Sequence, residues 1–331
     1  MANDISKRHA AQVRLDLADL ESGMAQVGTN DPPARTGWAY GRVVRALEFQ
    51  LCDVFTDRPL TGNALAVFTD ASELSTLNMQ ALAREMNLSE SAFVLPPTTE
   101  HADARIRIFT PTMELPFAGH PTLGTAFVLA DAKASETTIR LETARATVAV
   151  RLHRAGLGAG FGWMTQPIPI RRPFEAVDKL LLALGASKTE LPVELYDNGP
   201  HYVLIELATP AQVASLQPDL SRLAAFGSQA FVVFARNASA NLWKVRVFAP
   251  GEGIAEDPAT GAAAGPLAIH LSRHGRVRFG DEILIEQGVE LGRPSKLHAR
   301  AVGSADRVES IEVGGSAVVV GRGSFDRALF E

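Results

Sequence analysis

Two stretches of the chain repeat one another. Arg107-Ile108-Phe109-Thr110-Pro111 is answered by Arg246-Val247-Phe248-Ala249-Pro250, both Arg-aliphatic-Phe-small-Pro, 139 residues apart. Gly119-His120-Pro121-Thr122-Leu123-Gly124-Thr125-Ala126 is answered by Glu256-Asp257-Pro258-Ala259-Thr260-Gly261-Ala262-Ala263, 137 residues apart. Each copy reads as a strand, a proline, a loop, a polar residue before a proline, and a Gly/Ala-rich helix, expected at 122–130 and 259–271. One order of elements recurring about half the folded body apart predicts two related domains.

The physics of each copy is specific. Proline in the first helical turn costs nothing, because its missing N–H would have had no intrahelical partner. Small residues behind it keep side chains away from the free backbone N–H groups. Those donors and the positive end of the helix dipole make a seat for an anion. Two copies facing each other build one cleft with two seats, each with a titratable residue at its lip: His120 in one half, Asp257 in the other. Read singly, each motif is also an ordinary helix start, with Asp257 as a capping residue.

Strands are expected near 49–55 and at 64–68, 92–95, 106–109, 139–143, 147–152, 202–207, 230–235, 243–248, 282–287, 297–302 and 311–320, from alternation and apolar runs bounded by turn residues. A helix between the second and third strands has Ser72 or Ser75 as its cap and Met79, Leu82 and Met86 on one face. Many strands with few, spaced helices point to an α+β fold rather than a doubly wound parallel sheet. The first 45 residues read differently. Val13, Leu17, Leu20 and Met24 form the stripe of a short amphipathic helix, and Thr29-Asn30-Asp31-Pro32-Pro33 has linker composition. They are expected to be an extension outside the folded body, or a helix that docks on a partner subunit.

Composition excludes several classes. The 331 residues are 46% hydrophobic and 21% charged, enough apolar content for a large core, and the net charge of −5 offers no basic surface for nucleic acid. A single cysteine, Cys52, forms no internal disulfide and fits a reducing cytoplasm; its apolar strand neighbours make it core. No apolar run approaches the length needed to span a bilayer, and the N-terminus has no signal-peptide core. Gly156, Gly158, Gly160 and Gly162 fail the dinucleotide-binding spacing and read as a hairpin connection. His270 and His274 lie at i, i+4, but no third metal ligand is evident near them, so they read as one face of an ordinary helix. The Gly-x-Ser-x-Gly of serine hydrolases is absent.

The chain resembles the phenazine-biosynthesis PhzF family, within the diaminopimelate-epimerase-like superfamily. The stretches that carry the likeness are Asp53–Phe68 with its Thr61-Gly62-Asn63, Arg84-Glu85-Met86-Asn87-Leu88-Ser89-Glu90-Ser91, Arg107–Pro111, Glu114-Leu115-Pro116-Phe117-Ala118-Gly119-His120-Pro121, Asn198-Gly199-Pro200, Glu256–Gly261, Gly265–Leu271 and Gln287–Pro294. It covers roughly residues 46–330. The resemblance implies two similar domains, each a curved, barrel-like sheet around a central helix, with the active site between them. With the sequence boundaries, that places one domain at 46–165 plus 315–331 and the other at 166–314. It also implies a homodimer, a small-molecule substrate, and no metal or organic cofactor. The reaction it implies is isomerisation of trans-2,3-dihydro-3-hydroxyanthranilate to an aminoketone in phenazine biosynthesis. By the same likeness, Glu90 is the acid/base carboxylate and His120 a substrate ligand. Asp257, the helix-tip residues Gly119, Gly261 and Ala262, and Asn63 complete the substrate-binding set. The family has serine where this chain has Ala262, which removes a hydroxyl ligand and leaves the backbone N–H.

The chemistry suits these residues. The substrate is an amino-hydroxy-cyclohexadiene carboxylate, and one carboxylate can move its proton between two ring carbons that lie on the same face. Such a base works best when partly desolvated, which raises its pKa. Glu90 lies between an amphipathic helix and the apolar run Ala92-Phe93-Val94, where partial burial is expected. Related racemases use two opposed cysteines, which one cysteine cannot supply. Two other readings remain open: a family member acting on another small amino or cyclic carboxylic acid, and a non-catalytic binding protein on the same fold.

Overall fold

A strand of 19 residues, β17 (Val308–Asp326), is shared by both halves of the molecule. The structure is a computed structural model, and it describes residues 46–130, 136–153, 160–237 and 241–330. The amphipathic stripe expected between Val13 and Met24 lies outside the described residues.

In the first half the elements run β1 (Ala46–Val54), β2 (Asn63–Phe68), α1 (Thr76–Met86), β3 (Glu90–Leu95), β4 (Ala104–Phe109), β5 (Glu114–Leu115), α2 (Gly119–Leu129), β6 (Glu136–Glu142), β7 (Thr147–His153) and β8 (Gly160–Thr165). In the second they run β9 (Ile170–Pro173), α3 (Val177–Leu184), β10 (Glu194–Asp197), β11 (His201–Glu206), α4 (Pro210–Ala214), α5 (Leu220–Ala224), β12 (Ala230–Arg236), β13 (Leu242–Ala249), β14 (Ile254–Asp257), α6 (Gly261–Arg273), β15 (Ile283–Gln287) and β16 (Ser295–Gly303), and end in β17.

The pairings repeat from one half to the other. β1–β2 is antiparallel, β2–β3 parallel, β3–β4 antiparallel and β4–β6 parallel, and β6–β7 and β7–β8 are antiparallel. Likewise β10–β11 is antiparallel, β11–β12 parallel, β12–β13 antiparallel and β13–β15 parallel, and β15–β16 and β16–β17 are antiparallel. β17 then closes the first half into a ring. Its central residues pair with β8 and its C-terminal residues with β1, antiparallel in both cases. Each of the four parallel pairs in this scheme needs a crossover, and α1, α2, the α4–α5 pair and α6 supply them in α/β manner inside an otherwise antiparallel sheet. The α+β expectation holds.

The two repeated helices are the centres of the halves. Residues 119–127 of α2 and 261–272 of α6 are all buried, so neither helix has a polar face. Their apolar side chains join Leu65, Val150, Trp243, Leu297 and the other inward residues of the strands in one core cluster. A second cluster packs α3, α4 and α5 on the opposite face of β10–β12, and a third packs α1 against β2–β4, with Phe68 and Phe93 stacked at 4.7 Å between centroids.

Several boundaries differ from the sequence expectation. α2 starts at Gly119, not Thr122, so Pro121 sits inside the first turn. α6 starts at Gly261, so Pro258 lies before the helix and Asp257 ends β14 rather than capping α6. Ser75, not Ser72, caps α1, with its Oγ accepting from the Asn78 N–H. The last strand runs six residues past its expected end because pairing with β1 continues to Asp326. Cys52 is buried, as its neighbours imply. β7 and β8 form the antiparallel pair read from the glycine-spaced segment. Among the described residues no helix is long and apolar enough to cross a membrane.

Candidate active site

The N-terminal ends of α2 and α6 touch. A Cβ added to Gly119 would lie 2.4 Å from the Ala262 nitrogen and 2.5 Å from the Gly261 carbonyl carbon. Only glycine allows that backbone approach. Gly261 has the same constraint from the other side, since its Cβ would lie 2.6 Å from Phe55 Cζ and 3.2 Å from Gly119 C. Neither helix has a side-chain cap: the cap positions are Ala118 and Thr260, and neither side chain accepts from its helix. The N–H groups of Gly119, His120, Gly261 and Ala262 open their helices ahead of any i−4 carbonyl, so two positive helix ends converge on one place.

Asn63, at the start of β2, ties that place together across the chain. Its Nδ2 donates to Asp257 Oδ1 at 2.8 Å and to the Ala259 carbonyl at 3.0 Å, and lies 3.2 Å from His120 Nδ1. The two oxygen partners accept only, which fixes the Asn63 amide orientation and takes up both Nδ2 hydrogens. His120 Nε2 is buried without a partner among the described residues. Burial drives the His120 pKa down to about 3, so the ring is neutral.

Glu90 opens β3, following the αL turn at Asn87 that ends α1. It is buried, and its Oε2 lies 3.5 Å from His120 Nδ1. That contact is not a hydrogen bond, and with a neutral ring it is not an ion pair; Oε2 has no hydrogen-bond partner among the described residues. Burial, then the charges of Asp257 and Glu252, hold the Glu90 carboxyl well above the ordinary carboxylate range. The burial expected of Glu90 is met.

Asp257 is buried as well. Burial pushes its pKa up, against hydrogen bonds from Thr260, Ser89 and Asn63 that favour the anion. The Thr260 hydroxyl donates to Asp257 Oδ2 at 2.6 Å. Gln287 braces the turn, its Nε2 donating to the Asp257 carbonyl at 2.8 Å and its Oε1 accepting from the Thr260 N–H at 3.1 Å. Asn198 Nδ2 donates to the Ala262 carbonyl at 2.9 Å, while Asn198 Oδ1 is buried and unpartnered among the described residues. The fold therefore brings Asn63, Glu90, Gly119, His120, Asp257, Gly261 and Ala262 to one buried place.

The sequence reading missed two members of this neighbourhood, Glu252 and Tyr202. Glu252 lies in the Pro250-Gly251-Glu252 turn between β13 and β14, and it is buried. Burial and the Asp257 charge raise its pKa to about 7. Tyr202, on β11, is buried too. Burial and then Glu252, Glu90 and Asp257 raise its hydroxyl pKa well above the ordinary value. A Pro-Gly-Glu-Gly string reads as an exposed turn. The available signal was its place in the second copy of the repeat, straight after Arg-Val-Phe-Ala-Pro.

His270 and His274 do share a helix face, but the fold adds the third group the sequence did not show. Glu194 of β10 lies against both: Oε2 is 3.0 Å from His270 Nδ1 and 3.3 Å from His274 Nε2. The same Oε2 accepts from the Tyr196 hydroxyl at 2.9 Å, and Oε1 is bound by Arg171. Those bonds hold the Glu194 carboxyl well below its ordinary range despite burial.

A profile of the PhzC-PhzF family, described as phenazine biosynthesis-like protein, matches residues 52–323. Over 276 residues the chain is 47% identical to a Pseudomonas chlororaphis protein named trans-2,3-dihydro-3-hydroxyanthranilate isomerase, a match covering 83% of this chain and 98% of that one. A solved structure described as a predicted epimerase from Pseudomonas aeruginosa is 32% identical, with a TM-score of 0.71 over 84% of this chain and 98% of that one. A Bacillus anthracis phenazine biosynthesis protein of the PhzF family shares the fold, at 23% identity and a TM-score of 0.71 over 85% of this chain and 99% of that one. With its profile spanning most of the folded body and a relative of nearly its full length at this identity, the chain belongs to the PhzC-PhzF family.

Proposed function

We propose that the protein isomerises trans-2,3-dihydro-3-hydroxyanthranilate by moving a proton between two ring carbons, without a cofactor. The observation that carries this reading is Glu90: a buried carboxyl, with an oxygen that has no described partner, beside a neutral histidine and two uncapped helix ends. The name borne by the Pseudomonas chlororaphis relative supplies the substrate.

The residues divide the work. The substrate carboxylate is received by the first-turn N–H groups of Gly119, His120, Gly261 and Ala262, where dipole and donors favour an anion. Glu90 takes a proton from one ring carbon as the anion and returns it to another as the acid. Its raised pKa makes it a better base and a stable carrier of the proton between the two steps. His120 acts as a neutral donor through Nε2, since burial keeps it uncharged at any ordinary pH. Asp257 and Asn63 hold the His120 ring in register and complete the polar wall.

The repeated pairings support division into 46–165 plus 315–331 and 166–314, with 1–45 outside, and we propose a cytoplasmic homodimer. Sedimentation of the full chain and of one lacking residues 1–44 tests the assembly. Incubation with dihydrohydroxyanthranilate, following loss of its diene absorbance, tests the reaction. The expected result is turnover that falls sharply in Glu90→Gln; absence of turnover in the intact protein rules the substrate out. Ala262 favours a second reading, a family member acting on another small amino or cyclic carboxylic acid, because a methyl group stands where a hydroxyl ligand is expected. Under that reading Ala262→Ser raises activity on dihydrohydroxyanthranilate at the expense of the preferred substrate.

A further inference from the structure

We propose that Glu252 is a substrate-binding residue that receives the amino group of the ligand, and so sets selectivity for amino-bearing ring acids. This inference rests on the proposed function and deepens it.

The case starts from the backbone. The turn carrying Glu252 is clamped to the other half of the molecule: the Thr112 hydroxyl donates to the Glu252 carbonyl at 2.9 Å. Gly253 then turns away at φ +85°, packed so closely that a Cβ there would lie 2.8 Å from Thr112 Cγ2. Thr112 follows Pro111 and Glu252 follows Pro250 by two residues, so the two turns that succeed the repeated strands meet each other. Thr112 thus holds the turn at two successive residues, and Glu252 is only 7% exposed.

The side chain is the part the protein leaves unengaged. No described hydrogen bond or ion pair involves the Glu252 carboxyl, although its charge acts on Glu90 and Tyr202 and the charge of Asp257 acts on it. A largely buried carboxyl that no described protein group engages is open to a bond from a ligand. Of the three carboxyls here, Asp257 is already occupied by Thr260, Ser89 and Asn63. Glu90 must stay free to carry the proton. Glu252 is the one left to accept a bond from the ligand.

The ligand's groups sort accordingly. Its carboxylate belongs at the helix ends, and a carboxylate beside Glu252 would be repelled. Its amino group is a multiple donor that is cationic when protonated, and a carboxyl in a dry site is its natural acceptor. The first half has Thr112 and Met113 after its proline, with no acid, so the site is asymmetric and reads the ligand in one orientation.

The test compares two probes, trans-2-aminocyclohexanecarboxylic acid and cyclohexanecarboxylic acid, as competitive ligands of the full-length wild type, Glu252→Gln and Glu252→Ala. Expected is a wild-type preference for the amino probe that falls about 10- to 100-fold in both variants, with affinity for the plain acid changed less than about twofold. Thermal melting confirms the fold of each variant, and the isosteric Gln decides if Ala does not fold. No wild-type amino preference, or a preference unchanged in Glu252→Gln, overturns the inference. Wild type that prefers the amino probe in a Glu252-dependent way yet leaves dihydrohydroxyanthranilate unturned upholds this role and removes only the substrate.

Discussion

Arg107 and Arg246 hold equivalent places in the two halves and make the same pair of contacts. Each forks a glutamate, Arg107 to Glu114 at 2.7 and 2.6 Å and Arg246 to Glu256 at 2.9 and 2.7 Å. Each also lies over the phenylalanine two residues on, 5.1 Å from the Phe109 ring and 4.9 Å from the Phe248 ring. The repeat is therefore one of side-chain interactions as well as strand order.

The two arginines differ in burial, and stability should follow. Arg246 is 8% exposed, and its Nη1 also donates to the carbonyls of Val213, Ala214 and Leu216. Arg107 is 24% exposed. Removing one partner of a buried pair leaves the other charge unpaired, at about 3–5 kcal/mol, whereas an exposed pair is worth about 1 kcal/mol or less. Urea unfolding should show Arg246→Ala destabilised by roughly 3 kcal/mol or more and Arg107→Ala by about 1 kcal/mol. Equal losses would mean that the two pairs are not ranked by burial.

How much of this was written locally explains what was legible. The repeat and the α+β class could be read because the repeated motifs are rich in Pro and Gly, where backbone chemistry is restrictive; the seven candidate site residues took their roles from family resemblance, Glu90 among them in a segment with neither Pro nor Gly. The starts of α2 and α6 were misplaced because they were set directly after Pro121 and Pro258 and not at Gly119 and Gly261. They are first-turn residues here because two helices meet there, a tertiary fact. Glu252 and Glu194 were missed for the same reason. Their burial comes from Thr112 and from α6, which are distant in sequence.

Gly119→Ala tests the meeting of the helices. Its methyl group would need to displace the backbone of Gly261 and Ala262, not a flexible side chain. Overpacking of this kind costs about 1–3 kcal/mol and often more. The expected variant melts lower and loses turnover beyond what its folded fraction explains, because the N–H groups move apart. An active Gly119→Ala with unchanged melting would contradict the close approach.

Glu90→Gln separates chemistry from binding. The amide keeps the shape but cannot take a proton, so kcat should drop by about 10²–10⁴ with little change in affinity for a substrate analogue. His120→Ala should do the reverse in part, weakening analogue binding by about tenfold through loss of the Nε2 donor. A Glu90→Gln enzyme with near-normal turnover would remove the proposed role.

Glu252 also predicts how stability varies with pH. Its folded pKa, about 7, lies above the ordinary value of 4.5, because burial and Asp257 disfavour the anion. The native state then binds more protons than the unfolded chain between those values, so this group's contribution to stability falls as pH rises through that window. A shift of this size corresponds to roughly 3 kcal/mol lost above pH 7. Glu252→Gln carries no charge at any pH and escapes the loss. Thermal or urea unfolding should therefore find it about as stable as wild type near pH 4, and more stable by roughly 3 kcal/mol at pH 8. A difference that does not grow between those pH values would show that the Glu252 carboxyl ionises as freely in the folded protein as in the unfolded chain.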